Sequence, residues 1–339
     1  MSVVLTSSED AAAYFENADN CLIGSVPALN SSRIEFAEGA SGNILCCGEG
    51  VSLASTRITF KGSNAVVFIE GPNKDLRLSV TVWSSSVFAI GASTYTNGAL
   101  NAIASERRSI LIGKRGLFSF GLWMRTADPH LVYSADTMER INPSKDVLIG
   151  DHVWLGQDAM LLKGATVGSG SIVGACAVVA GKRIPSNTSW AGNPARQVAA
   201  GVFFDSASVH NYAEADTKRS QTYNSDRWIY RGPAEAADSD LVKLGQQLAA
   251  LGSDAPAKAE ALTAAYATDK KNRFAFGGTG RKANDEGAAD AGKTASSGHS
   301  EKDAAADIPS GQAASGKRKA SAPRKSGGLK AALKKVLGK

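Results

Sequence analysis

The chain has 339 residues, 43% of them hydrophobic but only 7% aromatic, with 35 glycines and a formal charge of +6. Nothing in it reads as a collagen, a coiled coil or a disulfide scaffold, and no run of about 18 uncharged apolar residues exists to span a membrane. The basic excess sits at one end. Residues 1–252 carry 21 Lys and Arg against 23 Asp and Glu, a net of −2, whereas 253–339 carry 17 against 9, a net of +8.

The N-terminus, MSVVLTSSEDAAAYFEN, bears acids and no cationic stretch before its apolar residues, so a secretory leader is not expected. Residues 1–33 are expected to form an N-terminal cap, with a small helix over DAAAYFENA, that protects the first strands from edge pairing. Cys21, Cys46, Cys47 and Cys176 show neither metal nor disulfide spacing, which suits a reducing cytoplasm. The expected location is cytoplasmic, with room for peripheral attachment at the inner face of the membrane.

Two internal repeats follow. Between residues 43 and 130 a period of 22 places Ile44, Val66, Phe88 and Ile110 in phase, and likewise Ile58, Val80, Ala102 and Met124. The segments TRITF, SVTVW and NAIAS alternate as strands do. From residue 149 the period drops to six: Ile149, Leu155, Leu161, Val167, Val173 and Val179 recur without a gap. Neither a helix nor a plain strand explains a strict six. A solenoid does: three short strands and three corners close one coil of 18, the aliphatic residue points inward, and the glycines after it (Gly150, Gly156, Gly168, Gly174) permit tight turns. Residues 34–200 are therefore expected to form one parallel β-solenoid, an all-β fold; an ordinary β-sandwich is the competing reading. The segment 129–147, PHLVYSADTMERINPSKDV, breaks the pattern as a projecting loop, the kind of segment that carries function on a rigid scaffold.

Beyond the solenoid, 201–252 reads as a partly helical extension, with Leu241, Leu244, Leu248 and Leu251 at helical spacing. Residues 253–339, rich in Ala, Gly, Ser and Lys, are expected to be a disordered basic tail. From Lys317 onward it has nine basic residues and no acid, and ends in a short basic amphipathic helix around Leu329, Leu333, Val336 and Leu337. Its charge suits an anionic glycan or a membrane surface; a solubilising extension without a fixed partner is the plainer reading, and no specific nucleic acid is expected.

The run IGDHVWLGQDAMLLKGATVGSGSIVGACAVVAGKRIP, followed by WAGNPARQV, resembles the hexapeptide-repeat acyltransferases of the left-handed β-helix type, among them the galactoside and maltose O-acetyltransferases. RTADPH with ERINPSKDVLIGDHVW resembles the branch that modifies bacterial capsule and other surface polysaccharides, which includes the polysialic acid O-acetyltransferases. The resemblance covers about residues 42–200. It implies a left-handed parallel β-helix, a homotrimer, and acetyl-CoA bound in a groove between neighbouring solenoids.

An alcohol attacking a thioester needs its proton removed, and histidine suits that task. The solenoid has two, His130 and His152. His130 opens the loop two residues after Asp128, and the resemblance makes it the general base; from its position alone it could equally cap the loop. Asp128 is a candidate to orient its ring, as is a backbone carbonyl. His152 reads as a surface residue. With no third histidine in the solenoid, zinc chemistry is not expected. The resemblance implies that Trp154 walls the active site, with packing under the loop as the alternative. It also places Gln157, Gly174 and Ala175 along the pantetheine arm, and Lys182 and Arg196, with Arg183 as a neighbour, near the phosphates. Gly181 is one residue more than the family's usual turn before the lysine. Cys176 has no base beside it, so transfer is expected to be direct rather than through an acyl-cysteine. The implied activity is acetyl-CoA-dependent O-acetylation of a carbohydrate hydroxyl. Its alternatives are N-acetylation of an amino sugar or sugar nucleotide, and a non-catalytic solenoid scaffold.

Overall fold

In the computed structural model the described residues are 1–277, and they form a three-faced parallel β-solenoid of about seven turns with a helical layer against one face. Each coil visits the faces in the same order. Face B holds Cys21–Gly24, Ile44–Cys47, Val66–Ile69, Val87–Ile90, Ser109–Ile112, Val147–Ile149, Thr166–Val167 and Arg183–Ile184. Face C is split into Ala28–Asn30, Val51–Ala54 and Asn73–Leu76 early, and six strands from Tyr95–Thr96 to Arg196–Ala200 late. Face A runs from Arg33–Phe36 through Arg57–Phe60, Leu78–Val82, Leu100–Ala104, Trp123–Arg125 and Met160–Leu161 to Val178–Val179.

The repeats become ladders. On face A, Ile34, Ile58, Val80, Ala102, Met124, Leu161 and Val179 stand in register and line the interior. The six hexad aliphatics from Ile149 to Val179 are all fully buried, each contributing about 1.5–3 kcal/mol of transfer energy. The 22-residue phase holds on face A but slips on face B. Val66 pairs with Val87, not Phe88, because that coil is one residue shorter there. A one-residue slip exchanges inside for outside: Ile44 and Val66 point away from the solenoid, while Phe88 and Ile110 point into it.

The hexad glycines also play another part than tight turning. A Cβ on Gly150 or Gly156 would come within 2.6 Å of the next coil's backbone, so glycine there serves close stacking. The left-handed corner falls two residues later, on His152 (φ 52°), Asp158 (57°), Gly164 (79°), Gly170 (75°) and Cys176 (56°).

Both ends are closed by antiparallel pairing. Val3–Leu5 lies against Arg33–Phe36, and Arg196–Ala200 folds back on Thr188–Ala191. Each pairing covers the end edge of one face, a site that would otherwise invite pairing with another chain. Helix α1 (Ser8–Asn17) starts with a reciprocal cap between Ser7 and Asp10 and packs Tyr14 and Phe15 on Phe36. The solenoid ladder begins at Cys21, inside the expected 1–33 cap.

The expected tail boundary moves. After α2 (Glu214–Arg219) and α3 (Asp240–Ala250), residues 253–277 are structured rather than disordered: α4 (Ala255–Tyr266) follows, and Phe274, Ala275 and Phe276 are buried. α3 and α4 cover the outer side of face B, where Ile44, Cys46, Val66, Phe68, Val87 and Leu111 meet Leu241, Leu244, Leu248, Leu262 and Tyr266. Tyr266 donates to the Ile112 carbonyl at 2.8 Å, and the buried Lys258 donates to the Ser85 carbonyl at 2.6 Å. The basic helix expected around Leu329–Leu337 lies outside the described residues.

Candidate active site

The projecting loop springs from the edge between faces A and B, and Asn142 closes its neck. The Asn142 side chain donates to the His130 carbonyl at 2.8 Å and to Asp128 at 3.1 Å, and accepts from the Val132 amide at 2.9 Å. A second clamp lies one coil earlier. Glu106 accepts from Arg140 at 2.9 Å and from the Ser144 hydroxyl, and these bonds, Arg140's first, hold its carboxyl down to about 2. Glu106 and the neighbouring Arg107 both adopt the left-handed backbone that recurs at the coil corners (φ 54° and 59°). The loop is thereby fixed at its base while Leu131, Val132, Tyr133, Met138 and Ile141 stay exposed at 46–76%.

His130 is exposed, and its ring enters no hydrogen bond among the described residues. Its backbone is held and its imidazole is unengaged, as a general base awaiting a substrate proton needs. Asp128 does not orient that ring. Its carboxylate takes Lys163 and Asn142 instead, and Lys163's hydrogen bond keeps it below the usual carboxylate range. Lys163 and Asn142 escaped the sequence reading. Lys163 sits on the same edge one coil after the loop, and only the coil register reveals that neighbourhood.

Trp154 stands on face C between Leu117 and Ile172, 39% exposed, with its ring 5.8 Å from Phe204 rather than under the loop. Gln157 and Ala175 occupy successive coils at the C–A edge, next to Gly174. Both are exposed, and their backbone N–H groups enter no hydrogen bond among the described residues, although the Gln157 side chain donates to Asp158 at 3.0 Å. Unclaimed amides along an edge fit an extended amide arm such as pantetheine. Gly174 is only half open: a Cβ there would lie 3.2 Å from that of Ala191, so its smallness also serves coil stacking. Lys182 and Arg183 lie on the A–B edge two coils past the loop, and Arg196 is in the terminal hairpin. None of the three has an ion-pair partner among the described residues.

One chain thus does not bring its candidates together. His130, Lys163 and Lys182 share the A–B edge, while Gln157, Gly174 and Ala175 share the C–A edge, a face away.

His152 is not a surface residue. It is 3% exposed, its ring stacked on Trp228 at 3.6 Å and on Phe204 at 4.0 Å, with Nε2 3.0 Å from the Phe204 carbonyl. Burial pulls its pKa below the ordinary value. It pins the 201–230 segment to the solenoid, an aromatic sandwich invisible before the extension is folded back. Beside it, Asp151 makes a bidentate pair with the buried Arg273 at 2.9 and 3.0 Å.

The family described as bacterial transferase hexapeptide (six repeats) matches residues 146–181. The polysialic acid O-acetyltransferase of Neisseria meningitidis is 32% identical over 151 residues, which cover 44% of this chain and 70% of that one. The chain belongs to the hexapeptide-repeat transferase family. A polysialic acid O-acetyltransferase of Escherichia coli O1:K1 is 27% identical over 156 residues, 45% of this chain but only 49% of that relative. A chloramphenicol acetyltransferase of Escherichia coli is 31% identical over 106 residues, 30% of this chain and 49% of the relative, so family membership alone does not name the acceptor. The crystal structure of the polySia specific acetyltransferase NeuO superposes with a TM-score of 0.51 at 23% identity, over 59% of this chain and 93% of that one, and shows the same fold. No helix among the described residues is long and apolar enough to cross a membrane.

Proposed function

We propose that the protein transfers the acetyl group of acetyl-CoA to a hydroxyl of an acidic bacterial surface glycan. The observation that carries this reading is His130: an exposed imidazole, unengaged in the structure, on a loop clamped at its base. In this mechanism His130 takes the proton as the hydroxyl oxygen bonds to the thioester carbonyl carbon. A tetrahedral oxyanion forms and collapses, breaking the C–S bond, and the proton passes to the departing thiolate. Asp128 is a positioning residue that acts through Lys163 and Asn142, not through the imidazole. Acetyl-CoA supplies the activated acyl group. Gln157 and Ala175 offer amides to its arm, Trp154 walls the face beside them, and Lys182, Arg183 and Arg196 provide cations for its phosphates.

Because base and arm positions lie on different edges, the reading includes a homotrimer in which one copy's A–B edge faces another's C–A edge. Five exposed apolar side chains gathered on the loop support that, since a neighbouring copy would remove them from water. Acetyl-CoA supply and the free thiols fit work in the cytoplasm. The test is a CoA-release assay with acetyl-CoA and acidic oligosaccharides, alongside light scattering for mass. Acetylated glycan and a threefold mass are the expected results. Acetylation of small amines but of no glycan would overturn the acceptor assignment.

A further inference from the structure

At the edge between faces B and C, opposite the loop, the extension leaves a cleft of about 220 Å³ between the Lys114–Arg115 corner and residues 227–230 and 268–273. We propose that this cleft is a second, non-catalytic saccharide site that anchors an acidic sugar unit of the acceptor; the inference rests on the glycan reading above.

The cleft is basic beyond its internal needs. Its two acids are already engaged, Asp151 by Arg273 and Asp269 by Lys114 at 2.8 Å, and the lining Lys271 is taken by Asp226 outside the cleft at 3.6 Å. Lys114 is also shared with Glu70 at 3.1 Å, so the two buried cations are spent on holding the extension to the solenoid. Arg115, Arg227 and Lys270 are left over. All three are exposed, and none of their side chains has an ion-pair or hydrogen-bond partner among the described residues. Three unneutralised cations around a cavity the size of one small unit favour an anionic ligand, and a guanidinium pair suits a carboxylate.

The wall narrows the class further. Arg227 lies over the Trp228 ring at 4.3 Å, which holds its guanidinium in place before any ligand arrives. Trp228 is itself stacked on His152 and only 7% exposed, so no ring face is open for a nucleobase to stack on. With Tyr230 also buried, the cleft offers cations and no open aromatic face, a match for the carboxylate and hydroxyls of a sugar acid rather than for a stacked base. Since the cleft sits on another edge from His130, its use is to tether a polymer and raise its local concentration, not to present the reacting hydroxyl.

The test compares the full chain with an Arg115→Ala/Arg227→Ala variant, both sites exposed, so thermal unfolding should coincide. Calorimetry with a long oligosialic acid should show affinity reduced at least about tenfold in the variant, and wild-type binding that weakens with added salt. Neutral dextran should bind neither protein. In initial-rate assays KM for the long oligomer should rise by a similar factor, with kcat and the KM for the shortest accepted oligomer unchanged. The paired Lys variant should recover part of the loss. Equal affinity and equal KM in wild type and variant would overturn the proposal, as would tighter binding of a short RNA or of inorganic phosphate than of the acidic oligomer. If the arginines bind the oligomer but no acetyl group is transferred, the anchoring site stands and the enzymatic reading falls.

Discussion

Two edges of one prism each carry a histidine, 22 residues apart, and the chain treats them oppositely. At the A–B edge the loop holds His130 by its carbonyl and leaves its ring to solvent. At the B–C edge the extension folds over His152 and stacks two aromatic rings on it. The first edge keeps chemistry accessible, whereas the second spends the same side chain on attachment. A histidine's role is therefore set by what the rest of the chain lays over it.

If that division holds, the largest effect should come from His130→Ala: kcat/KM falls about 10²- to 10⁴-fold, with unfolding midpoint unchanged. At the other edge stability should suffer instead. Arg273→Ala leaves the Asp151 carboxylate buried without its partner, and urea unfolding should register a loss of about 3–5 kcal/mol.

His152 makes the edges separable by pH. Its folded-state pKa lies below the unfolded value of about 6.5, so the unfolded chain binds the proton more readily. The neutral ring's contribution is fully present above that value and is lost as pH falls below it. Glu70 and Asp146, whose carboxyls burial pushes up, act in the opposite sense at lower pH. The contrast with a His152→Gln variant isolates the histidine: the wild type should lose more of its melting temperature than the variant between pH 8 and pH 5.5, and parallel curves would refute the assignment. The smallest effect is expected for Lys163→Ala. Its pair with Asp128 is half exposed and worth at most about 1 kcal/mol, so stability should barely move while activity drops a few-fold as the loop neck loosens.

How much of this was legible depends on which face is read. Face A announces itself, because TRITF and SVTVW alternate between core and solvent and the register follows directly. The hexads do the same for the late coils. Face B does not alternate: ILCC, VVFI and VFAI are apolar at every position. That pattern is the mark of strands covered on both sides. It called for a second layer, and α3 and α4 supply it. The tail boundary at 253 does not hold because the average composition of a long Ala- and Lys-rich stretch hides Leu262, Tyr266, Phe274 and Phe276 at its start. At the site, His130 stands out only through the family resemblance of its motif, because by position alone it could equally cap the loop. Asn142, Lys163 and the Glu106–Arg140 clamp do not, since each meets its partner across coils rather than along the chain.

In the proposed homotrimer, catalysis joins the His130 edge of one copy to the amide-bearing C–A edge of another. Co-expressing His130→Ala with Ala175→Trp, which obstructs the exposed arm position, tests it most directly. Each variant alone should release CoA at no more than about a hundredth of the wild-type rate. The mixed assembly should regain a measurable part of the wild-type rate, because some interfaces then pair an intact base with an intact arm. A mixed assembly as inactive as its parents would contradict the claim.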